Sequence, residues 1–138
     1  MRMKLEAAWL RDFGKRYTGA WCSQNAASVA AFFELNGSLS VNGAPNVGRG
    51  AITKVVQEFM TAFPDLQLVM DDILVQGERA VYQWTFIGTN TGPGGTGHRV
   101  RFSGYEEWKF GEDGLIAESQ GHFDEADYQR QIEGSADA

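Results

Sequence analysis

The hydrophobic pattern of this 138-residue chain changes its period at about Leu66. Before that position, apolar residues recur every three or four positions, which is the spacing of one face of an α-helix. After it, apolar and polar residues alternate, and β-branched and aromatic residues become frequent, as in half-buried strands. Because the helical patterns come first and the strand patterns follow together, the sequence predicts an α+β fold rather than repeated α/β units.

An aromatic face marks the predicted first helix. Its residues are spaced four apart: Leu5, Trp9, Phe13, Tyr17 and Trp21. A four-residue repeat drifts slowly round a helix, so these side chains form one broad stripe over residues 5–21. We expect this helix to be mostly buried.

Two further helices are predicted before the sheet. The second begins near Asn25, a residue that caps helices well, and carries Phe32 and Phe33 on one side. The third covers residues 52–63, where apolar residues recur at three and four positions, and Pro64 ends it.

The strands and the remaining segments complete a single predicted domain with its core at about 5–132. The expected strands cover residues 38–41, 66–75, 80–89, 98–110 and 115–123. Residues 42–50 are rich in turn-forming residues and are expected to be a loop, and 90–97 is a longer glycine-rich flap. Asp124 can cap a last helix that runs through Ile132, and the tail 133–138 is expected to be frayed.

Charge and composition exclude several functional classes. The net charge is −6, and nucleic acids or anionic membranes require clustered Lys and Arg, which this chain lacks. It has no apolar run long enough to span a bilayer and no secretory signal pattern, so we expect a cytoplasmic protein. The lone Cys22 is expected to be a small buried residue, and two histidines cannot form a metal cluster. The sequence predicts neither a metal nor a cofactor.

Six segments occur in the order and at the separations typical of one family. They are RYTGAW, FFELNGSLSVNGAPNVGRGAI, FMTAFPDLQL, WTFIGTNTGP, RVRFSGYEEWKF and GLIAESQGHFDEADYQRQI. From about Leu10 to Ile132 the chain resembles SnoaL-like polyketide cyclases and their ester-cyclase relatives. The resemblance implies the nuclear transport factor 2-like cone, with three N-terminal helices on a strongly curved antiparallel sheet and a short C-terminal helix. It also implies a pocket for a small, largely apolar organic molecule.

Ketosteroid isomerases share this fold, and the resemblance to them implies roles for particular residues. RYTGAW places Tyr17 where those enzymes hold a tyrosine that donates to the substrate oxygen, and YEEWKF places Glu106 where they hold a protonated aspartic acid. Their general base falls at Asn42 or Gly43, and the acid that polyketide cyclases hold on the final strand falls at Gly121. None of these three residues takes up a proton at neutral pH.

Alternation along the third strand of the meander selects Glu106 as the pocket carboxyl group. Gly104, Glu106 and Trp108 share one face of that strand, because side chains alternate. A glutamate among apolar walls has a raised pKa, which suits it to donate or shuttle protons near neutral pH. The alternative is that Glu106 pairs with Lys109 or Arg101, or faces solvent.

Further pocket residues follow from the same patterns and from the resemblance. The expected lining comprises Trp21, Asn42, Phe59, Phe63, Gln83, Trp108, Ser119 and Phe123. Gln83 falls where many SnoaL-like proteins carry an inward arginine, and the aromatic members could equally be plain core. His122 is the third candidate catalytic residue, after Tyr17 and Glu106, since its ordinary pKa suits a proton carrier. Alternation nevertheless turns His122 outward, which leaves an interface or structural role open.

Three functions fit these residues. The first is a cyclase or isomerase in which Tyr17 and Glu106 polarise a carbonyl group while another group moves a carbon-bound proton. The second is a non-catalytic small-ligand-binding protein on the same fold, which the glycines at 43 and 121 favour. The third is a dimeric interaction module.

A homodimer is expected from the predicted outer face of the sheet. Alternation from an inward Gln83 would place Tyr82, Trp84 and Phe86 together on the convex side. A sheet with one uncovered apolar face associates with a partner, so the sequence predicts pairing of two copies through this face.

Overall fold

The computed structural model describes residues 6–134 of the chain. The helices are α1 (Ala7–Cys22), α2 (Ala26–Ala30), α3 (Arg49–Ala62) and α4 (Glu125–Glu133). The strands are β1 (Phe33–Val41), β2 (Ala44–Val47), β3 (Gln67–Gln76), β4 (Arg79–Thr89), β5 (Arg99–Phe110) and β6 (Ile116–Phe123). This order confirms the α+β class. The expected helix start at Leu5 and the tail from 135 onward lie outside the described residues.

The six strands form one curved sheet in the order β2-β1-β6-β5-β4-β3. Strands β3 to β6 form the antiparallel meander that their short connections require. The sheet is mixed rather than wholly antiparallel, because β1 runs parallel to β6. One helix and four strands separate β1 from β6 in the chain, so no tight turn fixes their relative direction.

One face of the sheet, here called the inner face, is covered by helices and holds the core. Helix α1 lies on it and buries its predicted stripe, including Phe13, Tyr17 and Trp21. A Cβ atom on Gly14 would lie 2.7 Å from the sulfur of Met70, so a glycine at this position lets α1 approach β3 closely. The aromatic stripe therefore belongs to the core, as the sequence predicts.

The second helix is shorter than predicted. Helix α2 ends at Ala30, and Phe33 is the first residue of β1, where it is fully buried. Phe32 packs edge-on against Phe13 and Tyr17 from non-helical backbone. The spacing of these apolar residues fits either a longer helix or the start of a strand, so it did not distinguish the two.

Residues 42–50 are not a plain loop, because most of them belong to a hairpin and to the start of α3. Val41 of β1 pairs with Ala44 of β2, and Asn42 and Gly43 form the turn with φ angles of 48° and 87°. Two residues with positive φ are typical of a type I′ hairpin turn, for which Asn-Gly is the preferred sequence. The dipeptide therefore carried a hairpin signal that the loop prediction missed.

Strand β4 turns the opposite set of side chains inward from the one predicted. Tyr82 pairs with Glu106 across the β4–β5 ladder, and directly paired residues point to the same face. Tyr82, Trp84 and Phe86 are consequently buried, with exposures of 0%, 7% and 4%. Gln83 points to the other side, here called the outer face. The prediction was wrong because it aligned Gln83 with an inward arginine, and a shift of one residue reverses every side chain of a strand.

Helix α4 follows β6 and packs against β5. The Asp124 side chain accepts a hydrogen bond from the backbone N–H of Asp127, which is the cap that the sequence predicts. Gly134 ends the helix in the left-handed conformation, with φ of 79°. Within residues 6–134, no helix combines the length and apolar character needed to cross a membrane.

Candidate functional site

The carboxyl group of Glu106 is the polar centre of the inner face. Its Oε1 atom accepts hydrogen bonds from the Tyr17 hydroxyl at 2.9 Å, the Trp108 indole N–H at 2.9 Å and the Ser119 hydroxyl at 2.7 Å. The Tyr17 hydroxyl also lies 3.1 Å from Oε2. Three donors thus fix Oε1, while among residues 6–134 Oε2 has only the longer contact with Tyr17.

Three elements bring these donors together. Alternation along β5 places Glu106 and Trp108 on the inner face, and the β5–β6 ladder sets Ser119 opposite Trp108. Helix α1 supplies Tyr17 from above the sheet. The arrangement therefore depends on the strand register and on the docking of α1 together.

Burial dominates the electrostatics of the Glu106 carboxyl group. Desolvation raises its pKa above the ordinary value of 4.5, while the hydrogen bonds from Trp108, Ser119 and Tyr17 oppose the rise. Lys109 and Arg101, the cations considered as partners from the sequence, are exposed. Neutral donors, rather than a cation, hold Glu106, and burial shifts the titration of its carboxyl group toward higher pH.

The Tyr17 hydroxyl stays protonated under ordinary conditions. Its pKa is raised well above 10.0, first by burial and then by the negative charge of Glu106. The nearby indole of Trp21 opposes this rise, although its N–H does not make a hydrogen bond within residues 6–134. The Trp21 N–H therefore lies close to the Tyr17–Glu106 pair.

An apolar space, here called the inner cavity, adjoins Glu106. Its volume is about 50 Å³, enough for a few water molecules. Its lining is Trp21, Leu39, Val41, Val55, Phe59, Leu68, Trp84, Phe86, Phe102, Glu106, Gly121 and Phe123. All of these lining residues belong to the part of the chain that the structure describes, and Glu106 is the only titratable one among them. Such a wall, with a single carboxyl group, suits a largely apolar ligand.

A wider space, here called the outer cleft, lies beside the inner cavity. Its volume is about 630 Å³, and Val41, Val55, Phe59 and Phe123 line both spaces. Its other lining residues are Asn42, Ala44, Asn46, Glu58, Ala62, Glu125 and Tyr128. The Asn42 amide donates to Glu125 at 3.0 Å and accepts from the backbone N–H of Phe123 at 2.9 Å. Asn42 thus ties the β1–β2 turn to β6 and α4 at this cleft.

The family profile for the SnoaL-like domain matches residues 15–119. This chain belongs to the SnoaL-like family. The match includes α1 from its middle onward, the sheet as far as Ser119 and every donor to Glu106. No curated protein matches the sequence.

Solved structures show the same fold at low sequence identity. A putative SnoaL-like polyketide cyclase from Jannaschia sp. CCS1 has a TM-score of 0.79 at 15% identity, with 94% of this chain and 96% of that chain covered. AclR, a putative hydroxylase from Streptomyces galilaeus, has a TM-score of 0.80 at 20% identity, covering 96% and 86%. A hypothetical protein from Catenulispora acidiphila DSM 44928, with a ketosteroid isomerase-like fold and crystallised with trimethylamine, has 0.77 at 14% identity, covering 88% and 92%. The SnoaL-like chain therefore has the cone fold that its sequence implied.

The SnoaL-like site collects some of the expected residues at the inner cavity. Trp21, Phe59 and Phe123 line the cavity, as does Gly121, where the resemblance placed the cyclase acid. Two more expected wall residues, Trp108 and Ser119, donate to Glu106 from the fully buried core. Phe63 is buried without lining the cavity and packs against Phe86 at a centroid distance of 5.1 Å.

Three expected site residues lie elsewhere. Gln83 and His122 are the direct partners of Tyr105 on the two neighbouring strands, so Gln83, His122 and Tyr105 all lie on the outer face. The His122 ring is tilted against the Tyr105 ring, with centroids 4.9 Å apart, and its Nε2 atom lies 3.9 Å from Oε1 of Glu107. Asn42 lines the outer cleft rather than the inner cavity. Alternation along the last strand predicted that His122 points outward, whereas the side of Gln83 could be assigned only from the pairing of β4 with β5.

Trp84 is a lining residue that the sequence reasoning placed on the wrong face. Within the described chain, its indole N–H and that of Trp21 are the buried side-chain polar groups without a hydrogen-bond partner. Once Tyr82 is known to lie opposite Glu106, alternation along β4 places Trp84 on the inner face as well. No group of three or more His, Cys, Asp or Glu residues in 6–134 could hold a metal ion.

Proposed function

We propose that this SnoaL-like protein is an enzyme that moves protons on an apolar carbonyl compound, as a cyclase or isomerase does. The observation that carries the proposal is the placement of Glu106. It is a buried carboxyl group with a raised pKa, facing an apolar cavity, and neutral donors rather than a cation hold it. A raised pKa brings a carboxyl group closer to the range in which it serves as a general acid near neutral pH.

In the proposed reaction Glu106 acts first as the acid and then as the base. Its Oε2 atom gives a proton to the carbonyl oxygen of the substrate. The resulting carboxylate keeps the three hydrogen bonds at Oε1, and donors of this kind stabilise the charged form. The carboxylate then removes a carbon-bound proton from the substrate and is neutral again. These two transfers convert the ketone to its enol and leave the carboxyl group neutral. If Glu106 then returns its proton to a different carbon and takes back the proton of the enol O–H, the product has a shifted double bond, and the protons balance.

Tyr17 acts through Glu106 in this scheme rather than on the substrate. Its single hydroxyl proton is donated to the carboxyl group, at 2.9 Å from Oε1 and 3.1 Å from Oε2. Tyr17 is therefore a positioning residue, which fixes the carboxyl plane and lowers the cost of its charged form.

The outer cleft is the proposed path to the inner cavity. The inner cavity, at about 50 Å³, holds only the reacting part of a substrate, whereas the cleft of about 630 Å³ has room for its body. Phe59 and Phe123 line both spaces. Rotation of these two half-buried side chains would connect them, so the walls of the site are expected to move when substrate binds.

The test is hydrogen–deuterium exchange at the carbon beside the carbonyl group of a cyclic enone, followed by NMR. Glu106→Gln keeps the shape of the side chain but cannot transfer a proton, so exchange should fall about a hundredfold or more. Glu107→Gln is the matched control, because Glu107 is the next residue and points to the outer face. Equal rates in Glu106→Gln and the native protein would refute the proposal.

A second candidate function is ligand binding without catalysis. The observation that favours it is Gly121, which stands where the cyclase pattern carries its acid and leaves Glu106 without a second titratable group in the described lining. This function predicts saturable binding of an apolar ketone that Glu106→Gln leaves intact, with no exchange above the rate in buffer.

Pairing of two copies through the outer face is proposed on different grounds from those given by the sequence. The aromatic residues expected there are buried, so they cannot form the interface. The outer face carries Val69, Leu74 and Tyr105 instead, which are 44%, 39% and 40% exposed. Sedimentation should give a dimer that Tyr105→Lys dissociates, and a native monomer would refute the pairing.

A further inference from the structure

Helix α4 is packed less deeply than the other helices. Helices α1, α2 and α3 each have buried side chains, whereas α4, within its described residues, has none. It also lies beyond residues 15–119, the part of the chain that the SnoaL-like profile matches. Elements with little buried surface open locally at a lower free energy than the core does. Helix α4 is therefore the helix best able to move while the sheet stays folded.

Helix α4 covers the place where the outer cleft meets the inner cavity. Its Tyr128 ring packs against Phe59 and Phe123, with centroid distances of 6.5 Å and 5.5 Å. These two phenylalanines line both spaces, and Tyr128 itself lines the outer cleft. While α4 is docked, the Tyr128 ring restricts the rotation of both side chains, because packed rings cannot share the same space. Movement of α4 away from the sheet would release them.

The glycine-rich flap, residues 90–97, is fixed to the end of α3. The Asn90 side chain is 7% exposed, and its Nδ2 atom donates to the Ala62 carbonyl oxygen at 3.2 Å. Its Oδ1 atom accepts from the backbone N–H of Thr96 at 2.9 Å. The backbone N–H of Gly92 donates to the same Ala62 oxygen at 3.2 Å. The flap is therefore a fixed support, which holds Thr96 at a set position beside the outer cleft.

Two side chains hold the last turn of α4 through one carbonyl group. The Thr96 hydroxyl donates to the Ile132 carbonyl oxygen at 2.5 Å, and the His98 Nδ1 atom lies 2.8 Å from the same oxygen. A carbonyl oxygen only accepts, so Nδ1 carries the proton in this contact. These two hydrogen bonds are here called the latch. Thr96 and His98 are exposed, so water can replace the latch bonds when the helix moves.

We propose that α4 is a lid over the outer cleft, and that opening of the latch admits solvent and substrate to the inner cavity. The inference rests on the proposed function for the use of the outer cleft as the path of entry, whereas the latch and its release are independent of catalysis. In the closed state the latch holds the last turn of α4 against the flap. In the open state α4 turns about its start, where the Asn42 amide donates to Glu125 at 3.0 Å, and Tyr128 leaves its two phenylalanine neighbours.

Deuterium exchange of indole N–H groups measures when solvent enters the inner cavity. Trp21 and Trp84 line this cavity, and their N–H groups are buried without a hydrogen-bond partner within residues 6–134. Their exchange requires water in the cavity but neither a ligand nor catalysis. The chain has four tryptophans, so ¹⁵N-labelled protein gives four indole signals, which single Trp→Phe variants assign. Trp108 is the internal control for wider unfolding, because it is fully buried and donates to Glu106.

Thr96→Val removes one latch hydrogen bond and keeps the size of the side chain. The exchange of the Trp21 and Trp84 N–H groups and of the α4 amides should become about fivefold faster. The factor should be the same for both sets, because one opening event exposes them together. Trp108 should not change.

A second variant and a matched control accompany this measurement. His98→Ala removes the other latch bond and should act in the same direction, and the double variant should exceed either single one. Thr91→Val makes the same substitution in the same flap, where the Thr91 hydroxyl faces the Thr89 carbonyl oxygen at 3.5 Å. It should leave all of these exchange rates unchanged.

The native protein offers a test that needs no latch variant. Low concentrations of urea accelerate exchange in proportion to the surface that the opening exposes. Trp21 and Trp84 should therefore share the weak urea dependence of the α4 amides, whereas Trp108 should show the steep dependence of global unfolding.

Three results would each overturn the inference. Faster α4 amides in Thr96→Val with unchanged Trp21 and Trp84 would show that α4 does not close the entrance. Equal acceleration of Trp108 would show that the substitution destabilises the whole protein. A steep urea dependence of Trp21 and Trp84 in the native protein would show that the cavity opens only on unfolding.

The outcomes also separate this inference from the proposed function. Faster indole exchange in Thr96→Val, together with no exchange of the cyclic enone in the native protein, would leave the lid standing and remove catalysis. Enone exchange that Glu106→Gln abolishes, together with unchanged indole exchange in Thr96→Val, would leave catalysis standing and remove the lid.

Discussion

The hydroxyl group of Tyr17 donates a 2.9 Å hydrogen bond to Glu106, although 89 positions separate the two residues in the chain. Tyr17 comes from the helix that covers the sheet, and Glu106 from a central strand of that sheet. Hydrogen bonds to a carboxylate favour its charged form. Through this hydrogen bond, the packing of α1 on the sheet lowers the pKa of Glu106 against the effect of burial, in addition to forming part of the core.

Tyr17→Phe should raise the pKa of Glu106 further, because one of the donors that opposes the effect of burial is removed. It should also cost about 1–2 kcal/mol of unfolding free energy for the lost buried hydrogen bond. Carboxyl ¹³C NMR across a pH titration measures the first effect and urea unfolding the second. Tyr82→Phe is the control, since the Tyr82 hydroxyl contacts Thr18 rather than Glu106. A fall in the Glu106 pKa in Tyr17→Phe would contradict the prediction.

Glu106→Gln should change how stability depends on pH. Burial raises the Glu106 pKa in the folded protein, whereas in the unfolded chain the group ionises near its ordinary value of 4.5. Above that pH the unfolded state releases its proton first. The stability that neutral Glu106 contributes is thus complete below 4.5 and is lost as the pH rises through the folded pKa. One proton allows a slope of at most about 1.4 kcal/mol per pH unit in this window.

Urea unfolding of the native protein and Glu106→Gln between about pH 4 and pH 8 measures this effect. Subtracting the two curves isolates the Glu106 contribution, and the native protein should lose stability relative to the variant as the pH rises. Glu107→Gln serves as the matched control on the outer face and should not remove the slope. A difference between native protein and Glu106→Gln that is flat, or that grows in the opposite direction, would show that the folded pKa of Glu106 is not raised.

Local sequence rules predicted the features that depend on one element at a time. Alternation placed Glu106 and Trp108 on the same face, and helical spacing placed Tyr17 on the buried stripe. The cap at Asp124 also depends on a few adjacent residues, and it is present. The resemblance supplied the cone fold, which the solved relatives bear out, although β1 runs parallel to β6 and makes the sheet mixed.

Most of the features predicted incorrectly depend on the pairing of distant segments, whereas the missed Asn42-Gly43 hairpin was a local signal. The inward side of β4 follows from Tyr82 lying opposite Glu106, a relation between strands that no period within β4 contains. The partner of β1 is likewise β6, so Phe33 could be read as helix or strand until its sheet neighbour was known. The indole N–H groups of Trp21 and Trp84 have no hydrogen-bond partner within residues 6–134, and this depends on how several elements pack together around them.

Asn42→Gly should loosen α4 while the β1–β2 turn keeps its shape. Asn42 has φ of 48°, which glycine adopts without strain, so the substitution removes only the side chain. That side chain bonds Glu125 and the Phe123 backbone N–H. Amide hydrogen exchange in α4 should become about fivefold to tenfold faster, as expected for about 1 kcal/mol of lost hydrogen bonding.

The comparison for Asn42→Gly is Glu125→Gln, which keeps an oxygen that can accept from the Asn42 amide. It should change α4 exchange much less. Uniformly faster exchange over the whole protein in Asn42→Gly would indicate a global loss of stability and would argue against a local tie between the hairpin and α4.

Gly121→Asp should convert the single carboxyl group of the inner cavity into an interacting pair. Gly121 lies directly opposite Glu106 in the β5–β6 ladder, and a Cβ atom there would lie 3.6 Å from the Glu106 Cγ atom and 3.2 Å from the Ser40 carbonyl oxygen. The second distance is tight, so a shift of a few tenths of an ångström and a small loss of stability are expected. Two carboxyl groups this close cannot both ionise easily in an apolar space, so the pair should titrate in two steps, with one apparent pKa above that of Glu106 alone.

In Gly121→Asp, the new aspartate can remove a carbon-bound proton while protonated Glu106 donates to the carbonyl oxygen of the substrate. Exchange of an enone substrate should therefore rise about tenfold, with a bell-shaped pH dependence. Gly121→Asn has the same shape without the charge and separates the base from a change in packing. A gain in both variants, or in neither, would mean that the position opposite Glu106 is not where the substrate presents its carbon-bound proton.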